Sequence, residues 1–135
     1  MTQTFPRLVM TMSAVLLASL GLPCVFAPDL LMARLAGNSS IAAEVLVQLT
    51  GALYVGFAML NWMSRGSLMG GIYGRPVAVG NVLHFFAGAL ALLKAAPFID
   101  APAVTWALSL LYTAFAVGFG MVVFRKPPVA TRSEP

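Results

Sequence analysis

Four long apolar runs fill most of this chain and leave only short connections between them. A helix rises 1.5 Å per residue, so about 20 residues cover the roughly 30 Å of hydrocarbon in a bilayer. Runs of that length lie at Leu8–Phe26, Ile41–Met63, Pro76–Ala96 and Pro102–Phe124. Of the 135 residues, 60% are hydrophobic and 9% charged, whereas an average soluble domain carries about 25% charged residues. A small globule with so few charges could not cover its surface with polar groups. The expected fold is therefore all-α, a polytopic membrane protein built as an antiparallel four-transmembrane-helix bundle. One four-span domain is expected over residues 1–126, with a disordered cytoplasmic tail over 127–135.

The charges sort by side. Arg7, then Arg65 and Arg75, then Arg125, Lys126 and Arg132 fall on one side of the four runs. Asp29, Glu44 and Asp100 fall on the other, opposed only by Arg34 and Lys94. The positive-inside rule then puts both termini and the middle loop in the cytoplasm. The net charge of +4 belongs to this asymmetry and is no nucleic-acid signal. The first run resembles a secretory signal, and "VFA" at Val25–Ala27 offers a small residue before a cut. Pro28 would follow that cut, and in "GLPC" proline stands where a lipoprotein box needs a small residue, so an uncleaved helix is expected.

Punctuation between the spans is clear. "PDLLMARLAG" starts on Pro28, ends on Gly37 and sets Leu30, Leu31 and Leu35 around Arg34, the pattern of a short amphipathic helix in the outer interface. Ser40 can cap the second span with Glu44 in its first turn, and Asp100 can cap the fourth. "KPP" at Lys126–Pro128 ends the fourth span, because proline cannot continue the hydrogen-bond ladder. The glycines of "SRGSLMGGIYGRP" have neither the lysine and hydroxyl of a phosphate loop nor a preceding strand. "NSS" at Asn38–Ser40 matches a glycosylation acceptor, a three-residue pattern that arises often by chance.

Polar groups inside the spans are the candidates for function. On the third span, 100° per residue places Gly80, Asn81, His84, Gly88, Ala91 and Ala95 on one stripe. Small residues let helix backbones approach in lipid, so His84 is expected to face protein. By rise along each helix, His84 lies roughly 12 Å from the cytoplasmic end of its span, level with Tyr54 and Tyr112. Three layers follow: an outer Glu44/Gln48/Lys94 layer, a middle Tyr54/His84/Tyr112 layer and an inner Asn61/Asn81 layer. Tyr54, His84, Tyr112, Asn61 and Asn81 are the candidate ligand-binding set.

Each layer also has a plain structural reading. Glu44 can be a first-turn acid and Lys94 a snorkelling anchor. A tyrosine on an imidazole can be a helix-to-helix fastening worth about 1 kcal/mol. Thr105, Ser109, Tyr112, Ala116 and Gly120 form a packing face on the fourth span. Trp62 and Trp106 suit the aromatic belts, and the eight methionines and nine phenylalanines suit apolar filling.

The inventory weakens several chemistries. One histidine cannot supply bis-histidine haem ligation within one chain, and the usual zinc ligand sets are missing. The lone Cys24 forms neither an intrachain disulfide nor a CxxC pair. The carboxylates of Asp29, Glu44 and Asp100 all lie far from the depth of His84, against a Ser-His-Asp arrangement. No cofactor, metal site or nucleic-acid partner is expected, and the balance leans away from an enzyme.

"FAPDLLMARLAG" after the first span, "GALYVGFAMLNWMSR" closing the second and "GRPVAVGN" opening the third resemble the small four-helix membrane proteins of DoxX-like layout. The resemblance covers most of the chain and implies a bacterial inner-membrane setting and an antiparallel four-helix bundle. It transfers no functional residue. The leading expectation is a non-catalytic binding or accessory module, in contact with the lipid bilayer, that holds a hydrophobic ligand or docks as a homodimer or in a larger membrane complex. Behind it stand a dimeric proton-coupled transporter titrating Glu44 and His84, and then a membrane enzyme acting on a lipid or isoprenoid with His84 as acid and base.

Overall fold

A computed structural model describes residues 4–37, 40–66, 74–98 and 102–124. Among them lie five α-helices and no strand: α1 (Thr4–Phe26), α2 (Pro28–Ala36), α3 (Ile41–Ser64), α4 (Gly74–Ala95), a 3-10 turn over Ala96–Phe98, and α5 (Pro102–Phe124). α1, α3, α5 and α4 with its 3-10 turn are each long and apolar enough to cross a membrane. The chain is a small multi-pass integral membrane protein of the all-α class. α5 has the bounds expected from sequence. α1 is already helical at Thr4, four residues before the apolar run. The Asp100 cap, the "KPP" stop, Asn38 and Ser39, the loop residues 67–73 and the tail 127–135 lie outside the described residues.

Two compact units divide the chain, Met10–Arg65 in one and Met1–Val9 with Gly66–Pro135 in the other. In the first, α1 runs through Pro23 and stops at Ala27, whose φ of −143° and ψ of 55° leave the helical region. The Ala27 N–H still reaches the Pro23 carbonyl at 2.9 Å, and Leu31 N–H reaches Ala27 at 3.0 Å. α2 then starts on Pro28 at its first turn, where proline is preorganised. It ends at Gly37, whose φ of +75° favours glycine. α2 contacts α3 but buries none of its own residues, so Leu30 and Leu35 keep an apolar face uncovered by protein. The Ser40 side chain caps α3 as expected, accepting from Ala43 N–H at 3.2 Å.

Within this unit α1 and α3 meet at two glycines. A Cβ on Gly51 would stand 2.6 Å from Cys24 Cβ and 2.9 Å from the Gly21 carbonyl oxygen. A Cβ on Gly21 would stand 2.9 Å from both the Gly51 oxygen and Tyr54 Cβ. Lipid tails are as apolar as leucine, so van der Waals contact between close backbones must replace the hydrophobic drive available in water. Contacts rise along α1 as they fall along α3, from Ser13 with Asn61 to Val25 with Gln48. The two helices therefore run in opposite directions.

In the second unit α4 and α5 lock through Phe85. Its ring stacks on Phe115 at 4.9 Å and on Phe119 at 5.7 Å, and meets Tyr112 edge-on at 5.1 Å. Such pairs contribute about 0.5–1.5 kcal/mol each beyond contact area. Phe85 against Phe115 and Gly88 against Tyr112 again show opposed directions. Nearer the end of α5, Val9 methyls sit 3.6 Å from where Gly118 would carry a Cβ.

Gly51→Ala should destabilise the α1–α3 pair by about 1–3 kcal/mol, the usual cost of overpacking. Gly56→Ala, which would meet nothing within 4 Å, should be neutral or gain up to about 1 kcal/mol from helix propensity. Thermal unfolding of the detergent-solubilised variants, followed by circular dichroism, measures the difference.

Candidate functional site

The buried face of α4 consists of Gly74, Ala78, Asn81, Phe85 and Ala89. The expected stripe is displaced by about one residue's rotation: Asn81 stays buried at the edge of the new face, His84 and Gly88 lie on its flank, and Ala91 is exposed. The large Phe85 ring takes the centre because its stacked partners on α5 offer more contact than a second glycine face would. On α5 the expected packing face is largely present, with Thr105, Ser109 and Tyr112 buried and Ala116 and Gly120 half-buried.

His84 and Tyr112 come together, their ring centroids 5.8 Å apart and tilted by 48°. His84 also meets Phe85 edge-on at 5.0 Å. Gly88 makes room for the tyrosine: a Cβ there would stand 2.6 Å from two Tyr112 ring carbons. The imidazole Nε2 is enclosed and takes no hydrogen bond among the described residues, while the residue has interactions beyond the two rings. Asn81 is fully buried and its Nδ2 donates to the Val77 carbonyl at 2.8 Å, one turn back on its own helix.

In the other unit Asn61 is fully buried and its Nδ2 donates to Ser13 Oγ at 2.9 Å. Ser13 Oγ in turn donates to the Met10 carbonyl at 2.9 Å. Sequence reasoning missed Ser13. A serine at the polar end of an apolar run has no signature of its own, and only the Asn61 amide across the helix pair singles it out. Tyr54 is half-buried and packs its Cβ on Gly21. Of the outer layer, Gln48 Nε2 reaches the Val25 carbonyl at a long 3.4 Å. Glu44 is half-buried in the first turn of α3, and Lys94 is exposed with no ion pair among the described residues.

Each unit also carries an apolar groove that involves none of the expected polar residues. Between α4 and α5 a groove of about 270 Å³ has Ala89 at its base, with Phe86, Leu90, Leu93 and Val117 exposed along it. Its one polar wall residue, Thr113, donates its hydroxyl to the Ser109 carbonyl at 2.7 Å. Between α1 and α3 a groove of about 330 Å³ has a wholly apolar wall. Buried Ala14 and Ala58 form its base, and exposed Val15, Met59 and Trp62 its rim. Arg65 lies over the Trp62 ring, its guanidinium carbon 3.6 Å from the centroid, and Nη1 donates to the Trp62 carbonyl. Among the described residues no three His, Cys, Asp or Glu side chains gather as a metal site would require.

The Ser13–Asn61 contact should show as a coupling of about 0.6 kcal/mol, and at most about 1.7, in a Ser13→Ala/Asn61→Ala double-mutant cycle. Equilibrium unfolding in mixed micelles provides the four stabilities, and additive losses would show that the two side chains act independently.

Comparison of the chain with family profiles, with curated proteins and with solved structures finds no match. What the protein does is therefore argued from its geometry alone.

Proposed function

We propose that this protein is a non-catalytic membrane subunit that holds a lipid-like hydrophobic chain, acting as a binding or accessory module. The observation that carries this reading is the α1–α3 groove, a concave apolar surface whose wall has no polar side chain. Ligand sites are concave and mostly apolar, and the fully buried polar pair of these two helices, Ser13 and Asn61, does not line it. Ser13 and Asn61 bond to each other across the pair. In the other unit Asn81, Ser109 and Thr113 bond to carbonyls of their own helices. Asn61 and Asn81 of the set named from sequence have their amides engaged in these bonds, and the apolar surface is the part proposed to take the ligand.

The same proposal places the protein in a bacterial inner membrane, with both termini cytoplasmic and a DoxX-like layout. The arginine asymmetry supports the orientation, and α2 between the first two spans supports the layout.

Val15 is 55% exposed on the rim of the groove, so Val15→Phe should fill the groove without disturbing the helix contact. Native mass spectrometry of protein released from its membrane should show at least about a fivefold loss of bound lipid. Leu46→Phe, at an exposed site off the groove, should leave occupancy unchanged. Equal occupancy in wild type and Val15→Phe would end the proposal. A fluorescent protein fused after Pro135 should fluoresce if the C-terminus is cytoplasmic, and an alkaline phosphatase fused there should be inactive.

A further inference from the structure

The occupant of the α1–α3 groove can be taken further, on the basis of the reading just given. Arg65 is the first residue beyond α3 and is held in two ways, by its guanidinium over the Trp62 ring and by Nη1 on the Trp62 carbonyl. Trp62 is also a wall residue of the groove. A cation is thus fixed beside the apolar groove, stacked on a side chain of its rim.

Arg65 makes no ion pair among the described residues. The carboxylate of Glu44 on the same helix lies in its first turn, roughly 30 Å away along the axis. The guanidinium carries five N–H donors in a planar fork suited to phosphate oxygens. Its contact with the Trp62 carbonyl uses only one nitrogen, which leaves donors for an anion. Tryptophan belongs at the headgroup level of a bilayer, so Trp62 sets the depth at which the cation meets the interface.

We propose that the α1–α3 groove binds an anionic phospholipid, with one acyl chain along Ala14, Val15, Ala58 and Met59 and the phosphate on the Arg65 guanidinium. A groove alone would accept any acyl chain. The fixed and carboxylate-free cation selects among headgroups. Trp62 serves both halves, its ring face bearing the guanidinium by a cation–π contact and its side chain forming part of the groove's rim.

The test uses nanodiscs of the full chain with equal amounts of phosphatidylglycerol and phosphatidylcholine of identical acyl chains. Lipids retained after release are counted by native mass spectrometry. Wild type should retain phosphatidylglycerol over phosphatidylcholine by about fivefold, what one cation near an anionic surface contributes. Arg65→Gln should bring the ratio to about one while total retention falls little, and Arg65→Lys, which keeps the charge but loses the fork and the stack, should give a ratio between the two. Val15→Phe should lower retention of both lipids with the ratio unchanged.

Equal retention of the two lipids by wild type, or a preference untouched in Arg65→Gln, would overturn the headgroup site and leave the groove standing. A Val15→Phe variant that retains both lipids fully would instead overturn the groove itself. Circular dichroism of each variant confirms that a lost lipid is not a lost fold.

Discussion

Hydrocarbon offers no hydrogen bonds, and every other feature of this protein answers to that constraint. Each backbone N–H and C=O within the spans must find its partner inside the segment, which leaves the helix as the economical solution for a chain of this composition. Polar side chains in the spans meet the same demand. Ser109, Thr113, Ser19 and Thr50 return their hydroxyls to carbonyls three or four residues back on their own helices, a pattern that satisfies the group without a neighbouring helix.

The same medium removes the usual reason for helices to associate, and the two units meet that difficulty differently. In Met10–Arg65 the contact is made by removing side chains: Gly21 and Gly51 let backbone approach backbone, and the buried Asn61–Ser13 bond anchors the pair further along. In the unit holding α4 and α5 the contact is made by filling space. Phe85 lies among Tyr112, Phe115 and Phe119, and Gly88 admits the tyrosine ring. Both routes trade on dispersion contact at close range, which apolar lipid does not displace.

Function follows from what those contacts leave over. With the polar hydroxyls returned to their own helices or paired across the seam, the α1–α3 groove is left with an apolar lining. On the reading proposed above, Arg65 held on Trp62 beside that groove gives the site its headgroup preference. Among the groups that meet the His84 imidazole are the aromatic rings of Phe85 and Tyr112.

Much of the architecture was legible in the residues. Apolar run length announced four spanning helices, Pro28 and Gly37 bracketed α2, and Ser40 marked the start of α3, because each of these depends on local chemistry within a few residues. Rise along the helices put His84 and Tyr112 at one depth, but that their rings meet depends on which helices are neighbours. The centre of the α4 face was not legible, since a small-residue stripe and an aromatic stripe about 100° apart are equally helical, and only partners on α5 decide between them. Ser13 as the partner of Asn61, Gly21 against Gly51, and Arg65 folded onto Trp62 beside a groove were likewise invisible. The sequence by itself determined the solvent, the helices and their ends, because hydrocarbon and backbone geometry act on each segment alone. Which faces touch, which polar atoms pair and where an apolar concavity opens were decided only by the tertiary structure, because those depend on contacts between segments far apart in the chain.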